Sequence, residues 1–521
     1  MLPNLSKYLF FGTLLTISLC ACQPEETTPP NILFIFSDDH TAAGWGIYGG
    51  VLADYVQNDN IKRLASEGAV LNNAFCTNSI CSPSRASVLS GQYSHLNKVY
   101  TLSEPLPAGH PHIARTLGDN GYQTAIIGKW HLVKQPEGFD YFNVLPGQGR
   151  YHNPILKTAE NWQDGYNSEL GTEYEGFSTD VITDLTIEHL NKRDKERPFM
   201  MFCHFKATHE PFDYPERLAH LYVDDSIPEP ASLLDFGKET TGRTFKGQKL
   251  ENLGKRWDRA TVDSTFWTTY PGLPYPLTDL DSIQKRRKIH QKLVKDFMRC
   301  GAAIDENIGR LLDYLEAEGI AENTVVVYTA DQGYFLGEHG FFDKRLIYEE
   351  SLRMPFVIRY PKEIKGGQRI DDIILNIDFA ALMADYAGVE EIDYMQGQSF
   401  RENLKGNTPE SWRKQMYYRY WLHHPDRPAH FGIRNERYKL ALFYGQDLGM
   451  RGTSKETTTP AWEFYDLQED PNELHNAIEE QQYASVIQEM KEQLVLERKK
   501  YKDTDATYPI MQEILEAEGL K

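Results

Sequence analysis

The stretch CSPSRASVLSG, residues 81–91, places a cysteine at fixed offsets from a proline, an arginine and a closing glycine. Zinc sites and redox pairs need a second Cys or His at short spacing. The nearest other cysteine is Cys76, five residues before Cys81, which does not fit either kind of site. Cys81 is therefore either a buried thiol at the start of a helix or a nucleophile of another kind.

Oxygen-bearing side chains follow two apolar runs of the sequence. Asp38 and Asp39 end the run NILFIFSDD (31–39), and Asp331 and Gln332 follow NTVVVYTA (323–330). Three carboxylates and an amide oxygen are hard donors, which suit Ca²⁺ or Mg²⁺ and not Zn²⁺. Two aspartates after a strand can equally cap a helix, so the metal hypothesis depends on Asp331 lying beside them.

Basic side chains accompany further apolar runs. Lys129 and His131 belong to QTAIIGKWHL (123–132), His209 to PFMMFCHFKATHEPF (198–212) and Lys344 to FFDKRL (341–346). The chain has a formal net charge of -20, which argues against a nucleic-acid-binding protein. An anionic substrate would need a local basic site of this kind, because the overall field repels it.

The runs beginning at residues 31, 123, 198 and 323 each predict a buried strand of a parallel sheet. Ligands of open α/β sheets lie beyond the carboxyl ends of the strands, so the four strand ends indicate one shared site. Helical patterns at 60–71, 112–122 and 283–319 alternate with the strands, which indicates the α/β class. We expect a large, mostly parallel mixed sheet sandwiched by helices.

The 521 residues exceed the size of a single core, so we expect two domains. Residues 31–395 are predicted to form the catalytic domain, in which 228–277 is an insertion with long loops that shapes access to the site. Residues 396–521 are predicted to form a smaller α+β domain. Its antiparallel strands are expected at 414–422, 430–445 and 461–467, followed by a helix at 483–502.

The N-terminus has the features of a targeting segment. Lys7 precedes a short apolar stretch that ends in LCAC, which resembles a bacterial lipobox with Cys22 as the lipidated residue. Residues 1–22 are thus predicted to be a lipoprotein signal, and the Pro-rich 23–30 a linker. This predicts a lipid anchor on a bacterial membrane, facing the periplasm or the cell surface; an ordinary secretory signal is the alternative.

Residues 81–91 resemble the signature of the sulfatase family, in which Cys-x-Pro-Ser-Arg is followed by a hydroxyl residue and glycine. Other blocks of the family follow in order, and the resemblance extends from Asn31 into FYDLQEDPNELHN (464–476). It implies the alkaline-phosphatase-like fold. It also implies that a maturation enzyme oxidises Cys81 to formylglycine (3-oxoalanine).

An aldehyde at this position has a chemical reason. Its hydrate carries two hydroxyls on one carbon: one attacks sulfur, and the other expels sulfate as the aldehyde re-forms. One difficult displacement is thereby divided into two easier steps. A serine lacks the second hydroxyl.

The resemblance implies a role for each matched residue. One Ca²⁺ is expected to be held by Asp38, Asp39, Asp331, Gln332 and the formylglycine at 81, although the family often has Asn or His where this chain has Gln332. The implied catalytic roles are hydrate positioning by Arg85, base catalysis by His131 with support from Lys129, sulfate binding by Lys129 and Lys344, and protonation of the leaving sugar oxygen by His209.

Other residues have two interpretations each. His40, His339 and Arg345 either line the pocket or are structural. The C-terminal segment YRYWLHHPDRPAH supplies a candidate sugar subsite, whose members could equally be core or surface residues of the small sheet: Trp421, His423, His424, Arg427 and His430.

The sequence therefore predicts a sulfatase that hydrolyses sulfate esters on a polysaccharide or its oligosaccharides. Ulvan-type algal polysaccharide is the first expectation and glycosaminoglycan the second. A formylglycine-dependent phosphonate or phosphodiester hydrolase and an inactive glycan-binding lipoprotein are the remaining alternatives.

Overall fold

The computed structural model describes residues 29–166, 170–235, 247–259, 269–390 and 392–521. The predicted signal segment, Cys22 and most of the predicted linker lie outside these residues. Parts of the predicted insertion, at 236–246 and 260–268, also lie outside them. In the part of the chain that is described, no helix combines the length and apolarity needed to cross a bilayer.

The described strands fall into four sheets. They are β1 (Asn31–Asp38), β2 (Ala69–Leu71), β3 (Ala74–Phe75), β4 (Gln123–Lys129), β5 (Tyr141–Leu145), β6 (Ile155–Leu156), β7 (Thr172–Glu173), β8 (Phe199–Thr208), β9 (Thr324–Ala330), β10 (Arg353–Met354), β11 (Phe356–Arg359), β12 (Gln368–Ile370), β13 (Ile374–Leu375), β14 (Gln415–Tyr420), β15 (His430–Asn435), β16 (Tyr438–Phe443) and β17 (Ala461–Asp466).

The described α-helices surround the largest sheet and follow the smaller one. They are α1 (Asp59–Ser66), α2 (Cys81–Ser90), α3 (Ser94–Asn97), α4 (Ile113–Asp119), α5 (Ser178–Asn191), α6 (Leu250–Arg259), α7 (Ser282–Ala317), α8 (Glu349–Leu352), α9 (Asp378–Tyr386), α10 (Arg401–Leu404), α11 (Ala484–Lys500) and α12 (Pro509–Ala517).

The largest sheet has eight strands in the order β12-β2-β11-β9-β1-β8-β4-β5. The four strands predicted from apolar runs are neighbours in its centre, and β9, β1, β8 and β4 all pair in parallel. The antiparallel strand β11 makes the sheet mixed. The predicted fold class is thus confirmed, and all four strand ends meet at one edge.

Residues of β1 alternate between the two faces of this sheet. Ile32, Phe34 and Phe36 belong to one buried apolar cluster, whereas Leu33 and Ile35 belong to the other. Because both faces are covered, the strand is apolar along nearly its whole length, as a central parallel strand should be.

Helix α2 is formed by the cysteine motif itself. All ten of its residues are buried, and Gly91 ends it in the left-handed conformation at φ 65°. A side chain at Gly91 would also meet Met395 at 2.8 Å. The closing glycine of the motif is therefore required by the turn and by close packing.

One predicted element is wrong, and one helix was not predicted. The pattern at 60–71 is not one helix: α1 ends at Ser66, and residues 69–71 form β2. Gly68 separates them, lying so close to the backbone of Ile358 that an added Cβ would meet its carbonyl oxygen at 2.1 Å. Within the predicted insertion, residues 250–259 form the unpredicted helix α6, whose buried Leu250, Leu253 and Trp257 recur at helical spacing.

The remaining predictions agree with the structure. Helix α7 begins after the N-cap Asp281, whose side chain accepts a hydrogen bond from the backbone of Gln284. Strands β14 to β17 form a separate four-stranded antiparallel sheet, and α11 follows it. A smaller C-terminal unit with its own sheet is confirmed, while its boundary at residue 396 stays a prediction.

Candidate active site

Three carboxylates meet where β1 and β9 end. Asp38 is the last residue of β1, Asp39 follows with φ 61°, and Asp331 follows β9. The backbone N–H of Asp39 donates to Asp331 Oδ1 at 3.0 Å. One carboxylate oxygen from each residue lies within 4.8 Å of the other two, so the aspartates are close enough to share one cation.

Burial and crowding determine how these carboxyls ionise. Burial, reinforced by Asp38, raises the pKa of Asp331 to about 8. Burial also raises the pKa of Asp39, although Lys344 opposes it. Asp38 differs: burial would raise its pKa, but Lys129 and other nearby cations hold it well below its usual range. Neighbouring like charges cannot all be stable in a buried site without a further cation.

The donor set fits a divalent cation. Asp38 Oδ1 and Gln332 Oε1 are buried and have no hydrogen-bond partner among the described residues. Gln332 also contacts the cluster through Nε2, which donates to Asp39 Oδ1 and lies 3.7 Å from the sulfur of Cys81. These are the hard oxygen ligands that Ca²⁺ or Mg²⁺ prefers.

Cys81 opens α2 and faces the carboxylates. Its side chain is buried, and its Sγ lies 3.8 Å from Asp39 Oδ1. Burial and the charge of Asp38 raise the pKa of this thiol far above neutrality. An unmodified thiol would therefore stay protonated and be a poor nucleophile, which agrees with a need for chemical conversion.

Arg85 follows Cys81 by one helical turn, so both side chains lie on one face of α2. Its Nε donates to Asp331 Oδ2 at 3.0 Å, and another guanidinium nitrogen donates to the carbonyl of Lys129 at 3.0 Å. A third nitrogen lies 3.5 Å from Asp38 Oδ1. The guanidinium thus joins α2 to the ends of three strands.

Two lysines neutralise part of the acidic cluster. Lys129, the last residue of β4, binds Asp38, and Lys344 binds Asp39. Lys129 also donates to Gln148 Oε1 at 2.6 Å. Both ammonium groups are buried beside Cys81 and its carboxylates, where they can bind the oxygens of an anionic substrate.

Two histidines complete the site. His209 Nε2 lies 3.6 Å from Asp39 Oδ2, and its Nδ1 is 2.7 Å from the carbonyl of Glu210. His131 has φ 57°, and its carbonyl accepts a hydrogen bond from Ser82 at 2.6 Å. Burial and Lys129 hold the pKa of both imidazoles well below the usual value. In this state both are neutral, and His131 Nδ1 has no hydrogen-bond partner among the described residues.

The open assignments divide between structure and site. His40 stacks on Trp45 at 4.4 Å, and burial lowers its pKa to about 3, so it is a core residue. His339 is also structural, stacked on Tyr348 at 4.9 Å. Arg345, by contrast, donates to Asp343 Oδ2 at 2.9 Å, directly beside Lys344.

The candidate sugar subsite divides in the same way. Trp421, His423 and His430 are buried; the guanidinium of Arg419 covers Trp421 at 3.6 Å, and His430 stacks on Phe443 at 4.5 Å. These three are core residues. The other two members, His424 and Arg427, lie on a turn, where Arg427 donates to Asp343 at 3.1 Å.

Sequence reasoning missed three residues at this edge of the sheet: Gln148, Asp343 and Lys206. Asp343 adjoins a residue that was identified, and Lys206 lies in the same quoted stretch as His209. Gln148 lies in the loop after β5 between two glycines, where its type carries no signal. Its contact with Lys129 depends on the pairing of β4 with β5.

The sequence and the geometry agree with known proteins. Residues 30–389 match the sulfatase family, and residues 337–500 match the C-terminal part of N-sulphoglucosamine sulphohydrolase. The chain belongs to the sulfatase family. It is therefore an enzyme that hydrolyses sulfate esters, and the recognition made from residues 81–91 is confirmed.

Two relatives are similar over almost their whole length. An N-acetylglucosamine-6-O-sulfatase of Bacteroides thetaiotaomicron is 37% identical, covering 94% of this sulfatase and 91% of that protein. A protein whose structure was solved in complex with its substrate D-glucosamine-2-N,6-O-disulfate is 34% identical in sequence. Its structure superposes with a TM-score of 0.84, covering 92% of this chain and 100% of that one. An ulvan-active sulfatase of Formosa agariphila is 25% identical, covering 76% and 68% of the two chains.

Proposed function

We propose that this sulfatase removes the 6-O-sulfate of glucosamine residues in glycosaminoglycan-type oligosaccharides. The observation that carries the proposal is the similarity to an N-acetylglucosamine-6-O-sulfatase at 37% identity over 94% of the chain. The structure in complex with a glucosamine disulfate supports the same sugar. The ulvan-active relative is more distant, at 25% identity, so glycosaminoglycan replaces ulvan as the first expectation.

The residues around Cys81 have complementary tasks in this reaction. Formylglycine made from Cys81 supplies the hydrate that attacks sulfur, and Arg85 positions it. Lys129 and Lys344 bind the sulfate oxygens, where negative charge grows during transfer. The negative charge of the bound sulfate raises the proton affinity of His209, which then donates a proton to the departing sugar oxygen. His131, which is neutral, accepts a proton as the second step begins.

The metal proposed for this site is one Ca²⁺ ion. Asp38, Asp39, Asp331 and Gln332 would hold it, since they present a compact set of oxygen donors with two unpartnered atoms. The ion would supply positive charge to the sulfate and to the hydrate.

The proposal includes maturation and location. Cys81 requires a formylglycine-generating enzyme in the host cell. The LCAC sequence at residues 19–22 supports a lipid anchor at Cys22, which would place the enzyme on a bacterial membrane, facing the periplasm or the cell surface. In that position it would meet extracellular or periplasmic glycan fragments.

The test compares substrates with protein made in cells that contain the maturation enzyme. Mass spectrometry of the peptide holding Cys81 should show a loss of about 18 Da, the replacement of CH₂SH by CHO required for covalent catalysis. Glucosamine 6-sulfate should then release sulfate at least about 100-fold faster than ulvan oligosaccharides, the scale of discrimination that a specific site can supply.

The matched control is Cys81→Ala, which keeps Asp38, Asp39, Asp331 and Gln332 and removes the nucleophile. Sulfate release by this variant would reveal a contaminating enzyme. Matured protein that prefers ulvan fragments, or that cleaves 2-O-sulfated and not 6-O-sulfated sugars, would contradict the proposed substrate.

A further inference from the structure

Lys206 is a buried lysine of strand β8 that forms no ion pair within 4 Å with the residues the structure describes. It is 1% exposed, and its Nζ has no hydrogen-bond partner among the described residues. Its Nζ lies over the ring of Tyr151, 4.6 Å from the ring centroid. Lys157, another buried lysine, differs: its Nζ donates to the carbonyl of Gly165 at 3.0 Å.

An unpaired buried ammonium is expensive, because the charge loses its water without gaining a partner. Burial, assisted by the nearby charge of Lys129, lowers the pKa of Lys206 to about 7. The proposed reaction assigns no role to this group. Buried ionisable groups with shifted pKa values are concentrated at functional sites, where a ligand of opposite charge can pair with them.

Lys206 lines a cavity of about 320 Å³, large enough to hold a sugar residue. Tyr151, His152, Pro211 and Asp213 are further wall residues. His152 Nε2 lies 3.3 Å from one oxygen of Asp213, whereas the other oxygen, Oδ2, is buried with no hydrogen-bond partner among the described residues. Arg150 and Glu173 also lie on the wall, so the cavity offers two cations for an acidic group and carboxylate acceptors for sugar hydroxyls.

The cavity shares a wall with the catalytic centre. Tyr151 donates its hydroxyl hydrogen to the carbonyl of His209 at 2.6 Å. Lys206 precedes His209 by three residues, and Pro211 follows it by two. Since His209 faces the departing sugar oxygen, a second sugar attached to the departing one can extend past His209 toward Lys206.

We propose that this cavity is a second sugar subsite, in which Lys206 binds an acidic group of the sugar next to the one that loses its sulfate. The acidic group is the carboxylate of a uronic acid or a further sulfate. The inference rests on the proposed function, because it takes the departing sugar to be part of an acidic oligosaccharide. It deepens that function by assigning a site for the neighbouring residue.

The experiment compares Lys206→Met with Lys206→Arg on four substrates. These are the glucosamine 6-sulfate monosaccharide and three disaccharides, in which that sugar is joined to a neutral sugar, a uronic acid or a sulfated neutral sugar. Lys206→Met should lower kcat/KM about 10- to 100-fold, mainly through KM, on the acidic disaccharides only, as expected for a lost charge-assisted contact. Lys206→Arg should recover part of the loss.

The two acidic disaccharides distinguish the sources of the negative charge. Loss on the uronic acid substrate alone assigns the site to a carboxylate, and loss on the sulfated one alone assigns it to a second sulfate. An equal loss on all four substrates, or no loss on any of them, would overturn the proposal.

Thermal unfolding separates this role from a structural one, with Lys157→Met as the matched control. Lys206→Met should leave Tm unchanged or raise it, because it removes an unpaired buried charge, whereas Lys157→Met should lower Tm. A fall in Tm with Lys206→Met, together with uniform loss of activity, would make the residue structural.

Calorimetry keeps the test independent of turnover. Binding of the desulfated glucosamine–uronic acid product should weaken about tenfold in Lys206→Met, while glucosamine binding should not change. If wild-type enzyme fails on every glucosamine 6-sulfate, the proposed function fails. The calorimetric comparison then tests the subsite by itself: if Lys206→Met binds the disaccharide product as tightly as wild type does, the subsite proposal is contradicted.

Discussion

At the ends of β1 and β9, three buried carboxylates crowd together with two unpartnered oxygen atoms. Beside the C-terminal sheet, buried charges form a network of ion pairs. Arg419 lies 2.8 Å from oxygens of both Asp503 and Asp505, and Arg498 lies 2.6 Å from Asp505. Both regions desolvate several charges and pair them with side chains of opposite sign, but among the described residues the first also brings oxygens of three carboxylates within 4.8 Å of one another.

The difference separates two uses of buried charge. The C-terminal network joins β14 to α11 and to the segment that follows it, and its ion pairs hold these elements together. The site network instead gathers three carboxylates and an amide oxygen at one point, where the carboxylates repel one another and a cation can bind. Proteins commonly accept such local instability where chemistry requires it.

The largest effect is expected from Asp331→Asn, which alters the carboxylate cluster at the ends of β1 and β9. Both oxygens of Asp331 accept hydrogen bonds, one from Arg85 and the other from backbone N–H groups, so an amide must turn its N–H₂ toward a donor. The metal-free Tm should therefore fall. Activity should fall about 1,000-fold or more, equivalent to at least about 4 kcal/mol, because a ligand carboxylate is lost.

Calcium titration provides the control for this variant. Ca²⁺ should raise the Tm of the wild-type enzyme, since a ligand that binds only the folded state stabilises it. The same titration should have little effect on Asp331→Asn. A variant whose Tm rises with Ca²⁺ as much as that of the wild-type enzyme would show that this carboxylate is not a metal ligand.

A smaller effect, of opposite kind, is expected from Arg419→Met in the C-terminal network. Removing one partner from a buried ion pair leaves uncompensated charge and costs about 3 kcal/mol or more. Tm should fall by several degrees, whereas kcat/KM of the folded enzyme should stay within about twofold, because Arg419 is not part of the site. A loss of activity at unchanged Tm would break the comparison.

Features that depend on neighbouring residues in the sequence could be predicted, whereas features that depend on contacts between distant residues could not. The strands ending at Asp38, Lys129 and Asp331 could be predicted because apolar runs are local, and the position of a site at their ends is a rule of parallel sheets. The family signature then supplied roles for Cys81 and Arg85 that no spacing rule contains.

Long-range contacts had no such signal. Arg419 and Asp503 lie 84 residues apart, and nothing local pairs them. Trp421 and His430 have the residue types of a sugar site, yet packing buries them. Lys206 was hidden by its position in an apolar run, since a strand pattern predicts that it is covered but does not show what covers it.

The smallest effect is the acid sensitivity of the C-terminal network. Burial would raise the pKa of Asp503, but Arg419, together with His95 and Arg498, holds it at about 2, below the ordinary 3.8. A carboxyl with a depressed folded-state pKa contributes stability above its unfolded pKa and loses it as pH falls through the folded value. Wild-type enzyme should therefore lose about 2 kcal/mol from this group between about pH 4 and pH 2.

Chemical denaturation across this pH range compares Arg419→Met with wild type. The variant should lose less stability than wild type as pH falls, because its Asp503 titrates closer to the ordinary pKa. The free energies of unfolding of the two proteins should thus converge as Asp503 becomes protonated, because Arg419 then has no Asp503 carboxylate to pair with. An equal acid-induced loss in both proteins would place the sensitivity in other carboxyls. Asp503 and Arg419 would then stabilise the fold through packing and hydrogen bonds, and their ion pair would contribute little to the stability of the C-terminal network.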